Sequence, residues 1–157
     1  MRTVVQRVRE ASVSIGGAPH SSIGTGLLVL AGISRDDTPD DLAWMSRKIP
    51  NLRIFEDDEG KMNRSLKDIG GELLVVSQFT LYADVSRGNR PGFSESAPPE
   101  VAKALFDRFV ESIRREAGCA VKTGIFGADM QVSLVNDGPV TIILESPKKS
   151  GSSTLLS

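Results

Sequence analysis

The first fifteen residues alternate apolar and polar positions, with Val4, Val8, Val13 and Ile15 carrying the pattern, and predict strands over residues 3–9 and 11–15. Gly16-Gly17-Ala18-Pro19-His20 reads as a turn cluster. Residues 26–33 are apolar without interruption and predict a strand buried on both faces. A helix follows over residues 38–50: Thr38 can cap it, Pro39 suits its first position, and Asp40 and Asp41 favour the positive end of its dipole. Leu42, Met45 and Ile49 share one of its faces, and Pro50 is expected to end it. A short strand at 52–55, an acidic loop at 56–60 and a weakly patterned stretch at 61–68 lead to the Gly70-Gly71 break. Residues 72–77 form a second buried strand candidate, and 83–97 a polar loop. The clearest element is a second helix, opened by Pro98 and Pro99 and closed by Gly118. Val101, Ala102, Leu105, Phe106, Phe109, Val110 and Ile113 recur along it at helical steps.

The C-terminal third is strand-like at 120–126, 130–135 and 140–145. Between the last two lies Asn136-Asp137-Gly138-Pro139. Asp137-Gly138 has hairpin-turn chemistry, but the proline that follows removes a donor, fixes φ and permits a cis bond at low cost. Seven or eight strands and two main helices, with no regular strand–helix alternation, predict an α+β fold with a mixed sheet.

The 157 residues fit one domain. A formal net charge of −1 excludes a protein that coats nucleic acid by bulk charge, while leaving room for a local RNA contact. The single cysteine, Cys119, excludes an internal disulfide and fits a reducing compartment. No signal pattern or membrane-length apolar run is visible, so the expected address is the cytosol, with no membrane partner. The folded domain is expected at 1–146, and residues 147–157 read as a disordered tail.

The familiar catalytic groups are missing. The one histidine, His20, falls in the predicted turn without a nucleophile motif nearby, and reads as a surface residue. One Cys and one His are too few for a transition-metal site, and the acidic 56–59 run lacks calcium-loop spacing, so neither metal nor cofactor is expected. Gly24-Thr25-Gly26 begins like a dinucleotide fingerprint, but Val29 stands where its third glycine belongs. Two polar segments at strand ends remain: Ser77-Gln78-Phe79-Thr80, and 136–141 from Asn136 to Thr141. Both are readable as caps and turns. Neither holds a general base whose ordinary pKa lies near neutrality, so an enzyme built on them works by positioning and backbone dipoles.

Together these segments resemble the signature motifs of the D-aminoacyl-tRNA deacylases. The likeness extends to Gln6-Arg7-Val8, Lys61-Met62-Asn63, Gly88-Asn89-Arg90-Pro91 and residues 124–131, and covers about residues 1–146. It implies a barrel-like core and hydrolysis of the ester of D-aminoacyl-tRNA, and of mischarged glycyl-tRNA, with L-aminoacyl esters spared. It also implies a homodimer with active sites at the interface, where the cis Gly138-Pro139 of one subunit enters the other's pocket. Ser77, Gln78, Phe79 and Thr80 would then line the pocket at the tRNA 3′ end, with backbone N–H groups near Phe79 and Thr80 as oxyanion donors. Gly138 and Pro139, with Asn136, Thr141, Met130 and a bracing Arg7, would select chirality, while Arg87 and Arg90 are candidate tRNA contacts. Thr80 as a covalent nucleophile stays open, although no base is apparent beside it. So do a non-catalytic module that binds the acceptor end and a purely structural dimer.

Overall fold

The computed structural model describes residues 1–148. Its sheet is organised around β1 (Arg2–Ile15), one strand where two were predicted: Arg9 and Glu10 are exposed but do not break it. Its first half pairs antiparallel with β3 (Gly26–Gly32) and its second half with β2 (Ala18–Ile23). β6 (Glu72–Ser77) runs parallel to β3, and β7 (Val121–Thr123) parallel to β6. The path is therefore β2-β1-β3-β6-β7, with β8 (Met130–Glu145) along the other edge of β1. Its two ends approach each other. Ser21 Oγ donates to the Thr123 carbonyl at 2.9 Å and Lys122 Nζ to the Ser22 carbonyl at 2.7 Å, which draws the sheet into a nearly closed barrel. A small separate ladder pairs β4 (Phe55–Glu56) with β5 (Met62–Arg64).

The two-residue period of β3 and β6 divides the core into two layers. Leu27, Val29, Leu73 and Val75 face α1 (Pro39–Asn51) and α3 (Pro99–Ala117), which cover them with Leu42, Met45, Ile49, Phe106, Phe109 and Ile113. Leu28, Leu74 and Val76 point into the barrel against Val8, Val13 and Ile23. This is why both strands read as unbroken apolar runs. A third, short helix, α2 (Leu66–Ile69), joins them.

The α+β class, mixed barrel-like sheet, eight strands and two main helices agree with the sequence reading. The local differences have local causes. Gly16-Gly17 alone makes the first turn, so Pro19 and His20 belong to β2, where the proline sits on a strand without a second paired neighbour. Pro50 lies inside the last turn of α1, one residue before its end. The Thr38 N–H donates to the Asp41 carboxylate at 2.8 Å, so the acid caps the helix start from within. Ser65 and Asp68 form a reciprocal capping box that starts α2, within the weakly patterned stretch at 61–68. The predicted tail lies outside the described residues from 149 onward. No helix among the described residues is long and apolar enough to cross a membrane.

Candidate active site

The parallel strands β3 and β6 end side by side, and the chain beyond each end builds one wall of a cavity of about 670 Å³. Ser77 closes β6, and the Gln78 N–H donates to the Ala31 carbonyl at 2.8 Å. The chain then winds into a single 3-10 turn, Phe79–Tyr82. It can approach β3 this closely because position 32 is glycine: a Cβ there would lie 3.0 Å from the Gln78 carbonyl oxygen and 3.1 Å from Leu81 Cβ. Opposite this wall, residues 95–97 are laced to the continuation of β3. The Arg35 N–H donates to the Glu95 carbonyl and the Ala97 N–H to the Ile33 carbonyl, each at 3.0 Å. Ala102 of α3, Phe126 and Met130 complete an enclosure that is mainly apolar.

Of the residues singled out from the sequence, Ser77, Gln78, Phe79 and Met130 line this cavity. Thr80 stands one residue beyond the lining and is exposed. The Gln78 side-chain amide donates to the Thr80 hydroxyl oxygen in a short contact. Among the described residues, no histidine, lysine or carboxylate takes the Thr80 proton. Neither the Phe79 nor the Thr80 N–H has an acceptor among the described residues. Both belong to the start of the 3-10 turn, Phe79 on the cavity wall and Thr80 one residue beyond it.

The second segment lies elsewhere. Residues 136–141 do not form a hairpin, because both arms of β8 pair with β1: Gln6 opposes Thr141 and Val8 opposes Asn136. The residues between them have no ladder partners and swell outward opposite Arg7. Asn136 clamps the neck of this bulge. Its side-chain oxygen Oδ1 accepts the Val140 N–H at 2.8 Å, and its side-chain Nδ2 donates to the Thr141 hydroxyl at 3.1 Å. Arg7, buried, donates from Nε to the Asp137 carbonyl at 2.9 Å and from Nη1 to the Ile54 carbonyl at 2.8 Å. Arg9 adds an ion pair with Asp137 at 3.5 Å. At the tip, the Gly138-Pro139 bond is cis and both residues are exposed. None of Arg7, Asn136, Gly138, Pro139 or Thr141 lines the cavity of its own chain. Asn136, Thr141 and Arg7 are thus placed as braces of the bulge. Along β8, Gly138 lies on the order of 25 Å from Met130 at about 3.3 Å per residue.

Arg87 and Arg90 are exposed on the 83–97 loop, as expected. That loop also brings in what the sequence reading missed. The Phe93 ring stacks edge-on against Phe79 at 5.0 Å, and Ser96 donates its hydroxyl to the Phe79 carbonyl at 3.2 Å. The Pro98-Pro99 helix start was the available signal, since it ties the preceding residues to a fixed point of the core. Cys119 plays no part in the cavity, and burial, followed by the nearby Glu72, raises its thiol pKa.

Comparison with known proteins adds a consistent picture. The family model for D-Tyr-tRNA(Tyr) deacylase matches residues 4–145. A D-aminoacyl-tRNA deacylase of Chlorobaculum tepidum is 90% identical over 149 residues, covering 95% of this chain and 99% of that protein. One from Chlorobaculum parvum is 83% identical, covering 95% and 100%. A solved structure described as a c-Myc DNA unwinding element binding protein is 50% identical with a TM-score of 0.89, covering 94% of this chain and 100% of that one. A probable eukaryotic D-amino acid tRNA deacylase, 20% identical with a TM-score of 0.77 over 92% of this chain and 98% of its own, shares the fold.

Proposed function

The chain belongs to the D-Tyr-tRNA(Tyr) deacylase family, and on that premise we propose that it hydrolyses the ester between a D-amino acid and the 3′ end of tRNA, with glycyl-tRNA as a second substrate. The observation that carries this reading is the pair of unpartnered N–H groups, Phe79 and Thr80, beside an apolar cavity. A tetrahedral intermediate on the ester carbonyl places negative charge on one oxygen, and two fixed amide donors are suited to hold it. The terminal adenosine enters the cavity past Phe79. Water attacks the ester carbonyl. The neighbouring ribose 2′-hydroxyl relays the water's proton, which no side chain among the described residues is placed to take, to the 3′-oxygen as the acyl C–O bond breaks, giving the free amino acid and the tRNA 3′-hydroxyl. An aminoacyl ester is already activated, so orientation and electrostatics supply the acceleration that remains. Thr80 serves through its backbone.

Selection between enantiomers is assigned to the Gly138-Pro139 bulge of a second copy of the chain. The separation of this bulge from its own cavity supports that arrangement, because one chain alone cannot bring both to one substrate. Met130, Val132 and Leu134 fall on one face of β8 by the two-residue repeat, and Val132 and Leu134 are exposed at 36% each, forming an apolar strip for a twofold partner. From the partner, the bulge carbonyls would receive the substrate ammonium, and the rigid backbone would clash with an L side chain. Arg87 and Arg90 would meet phosphates near the acceptor end. The substrate places the reaction in the cytosol.

The test is incubation with D-tyrosyl-tRNA and L-tyrosyl-tRNA, following the ester. Loss of the D ester alone is expected. Persistence of both would leave the cavity a binding site only, and equal loss of both would remove the chiral role of the bulge.

A further inference from the structure

The geometry points to Ser96 as a positioning residue for the Thr80 N–H, an inference that rests on the deacylase reading above. The Phe79 carbonyl and the Thr80 N–H belong to one planar trans peptide unit and point in opposite directions. Whatever holds the carbonyl therefore aims the N–H. Ser96 Oγ donates to that carbonyl at 3.2 Å, from the segment laced to the continuation of β3.

The anchor is firm. The Ser96 N–H donates to the Phe93 carbonyl at 3.1 Å, and its neighbours on either side are bonded to the continuation of β3 through Arg35 and Ile33. Ser34 and Ser96 face each other in an antiparallel bridge. The same end of β3 holds the other wall, through the bond from the Gln78 N–H to the Ala31 carbonyl. Donor and acceptor of the Ser96 bond thus hang from one strand end, and their relative position is fixed over a short path. A hydrogen bond to the carbonyl also polarises the amide and makes its N–H a stronger donor. The 3-10 turn gives the Phe79 carbonyl its backbone donor, the Tyr82 N–H, and Ser96 adds the one side-chain donor among the described residues, so the carbonyl is held from two sides. Ser96 does not need to touch the substrate to act in this way.

The experiment compares wild type, Ser96→Ala and Ser96→Thr with D-tyrosyl-tRNA as substrate, and records the amide ¹⁵N resonance of Thr80 in each. Loss of a direct oxyanion donor costs about 100- to 1,000-fold in kcat, so loss of the bond that aims one should cost about 3- to 10-fold. The expected result is that fall in kcat for Ser96→Ala with KM within about twofold, and recovery in Ser96→Thr, which keeps the hydroxyl. The Thr80 resonance should move in the alanine variant and return in the threonine variant. A fall confined to KM, a kcat loss that threonine does not restore, or an unmoved resonance overturns the role. An inactive wild type defeats the deacylase reading, and this role with it. An active wild type matched by Ser96→Ala defeats this inference alone.

Discussion

The guanidinium of Arg7 holds the carbonyl of Asp137, the residue before Gly138, at 2.9 Å, and the same group holds the Ile54 carbonyl at 2.8 Å. A strand that runs through the centre of the sheet therefore reaches into the outward bulge of its neighbour and fixes it from beneath. Arg7→Ala leaves two carbonyls without their charged donor, one of them at a buried bond, and should lower stability by about 2–4 kcal/mol. Arg7→Lys cannot reproduce the fork and should recover only part of this loss. Urea denaturation gives the magnitudes. The kcat/KM ratio for D- over L-tyrosyl-tRNA should fall in both variants, and an unchanged ratio would detach Arg7 from selection.

Gly138 is held at φ +134°, and a Cβ there would lie 2.8 Å from Val140 Cγ2 and 2.9 Å from Arg7 Nη2. Val140 is buried and Arg7 is pinned by two hydrogen bonds, so neither can yield easily. Gly138→Ala should cost roughly 1–3 kcal/mol through backbone strain and displacement of Arg7. Deacylation should fall with it. Wild-type stability by urea denaturation would refute the crowding.

Much of this architecture is legible in the sequence where the deciding forces are local. The 26–33 run and the helical spacing from Val101 to Ile113 report burial directly, and Ser77–Thr80 stands out as polar chemistry at a buried strand end. The 136–141 segment misleads for a physical reason. Two apolar runs around Asp-Gly look alike whether the runs pair with each other or both pair with a third strand, and the partner, β1, lies more than a hundred residues away. The far wall of the cavity was equally hidden. Phe93 and Ser96 belong to a loop without periodicity, and Phe126, read as the end of a strand over 120–126, lies beyond β7, which stops at Thr123; only the tertiary fold brings the three to the cavity that Phe79 lines.

Thr80 separates two mechanisms. Its hydroxyl accepts from Gln78 and faces no base, whereas its N–H is free. Thr80→Ala keeps the N–H and should retain activity within about tenfold of wild type, the scale of losing a bond that only shapes the turn. A nucleophile replaced by alanine would instead cost several orders of magnitude. Single-turnover rates with D-tyrosyl-tRNA decide between them.

Asp41 ties stability to pH. Burial pushes its carboxyl upward, but the bonds from the Thr38 N–H and hydroxyl, with the nearby Ser146 hydroxyl and the charge of the Met1 amino group, outweigh this and hold its pKa below the ordinary 3.8. A folded-state pKa below the unfolded value stabilises the protein above pH 3.8, and that contribution disappears as pH falls through the folded-state value. Asp41→Asn should therefore lower Tm at neutral pH, by the cost of a lost helix cap of about 1 kcal/mol. The difference between variant and wild type should shrink below pH 3.8. A gap that stays constant down to the lowest pH would exclude the carboxylate as its source.

The strongest consequence of the separation between bulge and cavity concerns assembly. If each active site combines the cavity of one chain with the bulge of another, two differently disabled chains must rescue each other. Ser77→Trp should fill the cavity, since Ser77 lies half-buried on its wall, and leave the bulge untouched. Gly138→Ala should disable the bulge and leave the cavity intact. Each homodimer should then be nearly inactive. After mixing and subunit exchange at equal amounts, half of the dimers should be mixed, each with one sound site, so about a quarter of wild-type activity should return. Leu134→Asp in both chains places a charge on the exposed apolar strip of β8, and should abolish the recovery while giving a monomer in sedimentation. Sites complete within one chain would show no recovery on mixing, and the Leu134→Asp monomer would keep wild-type activity.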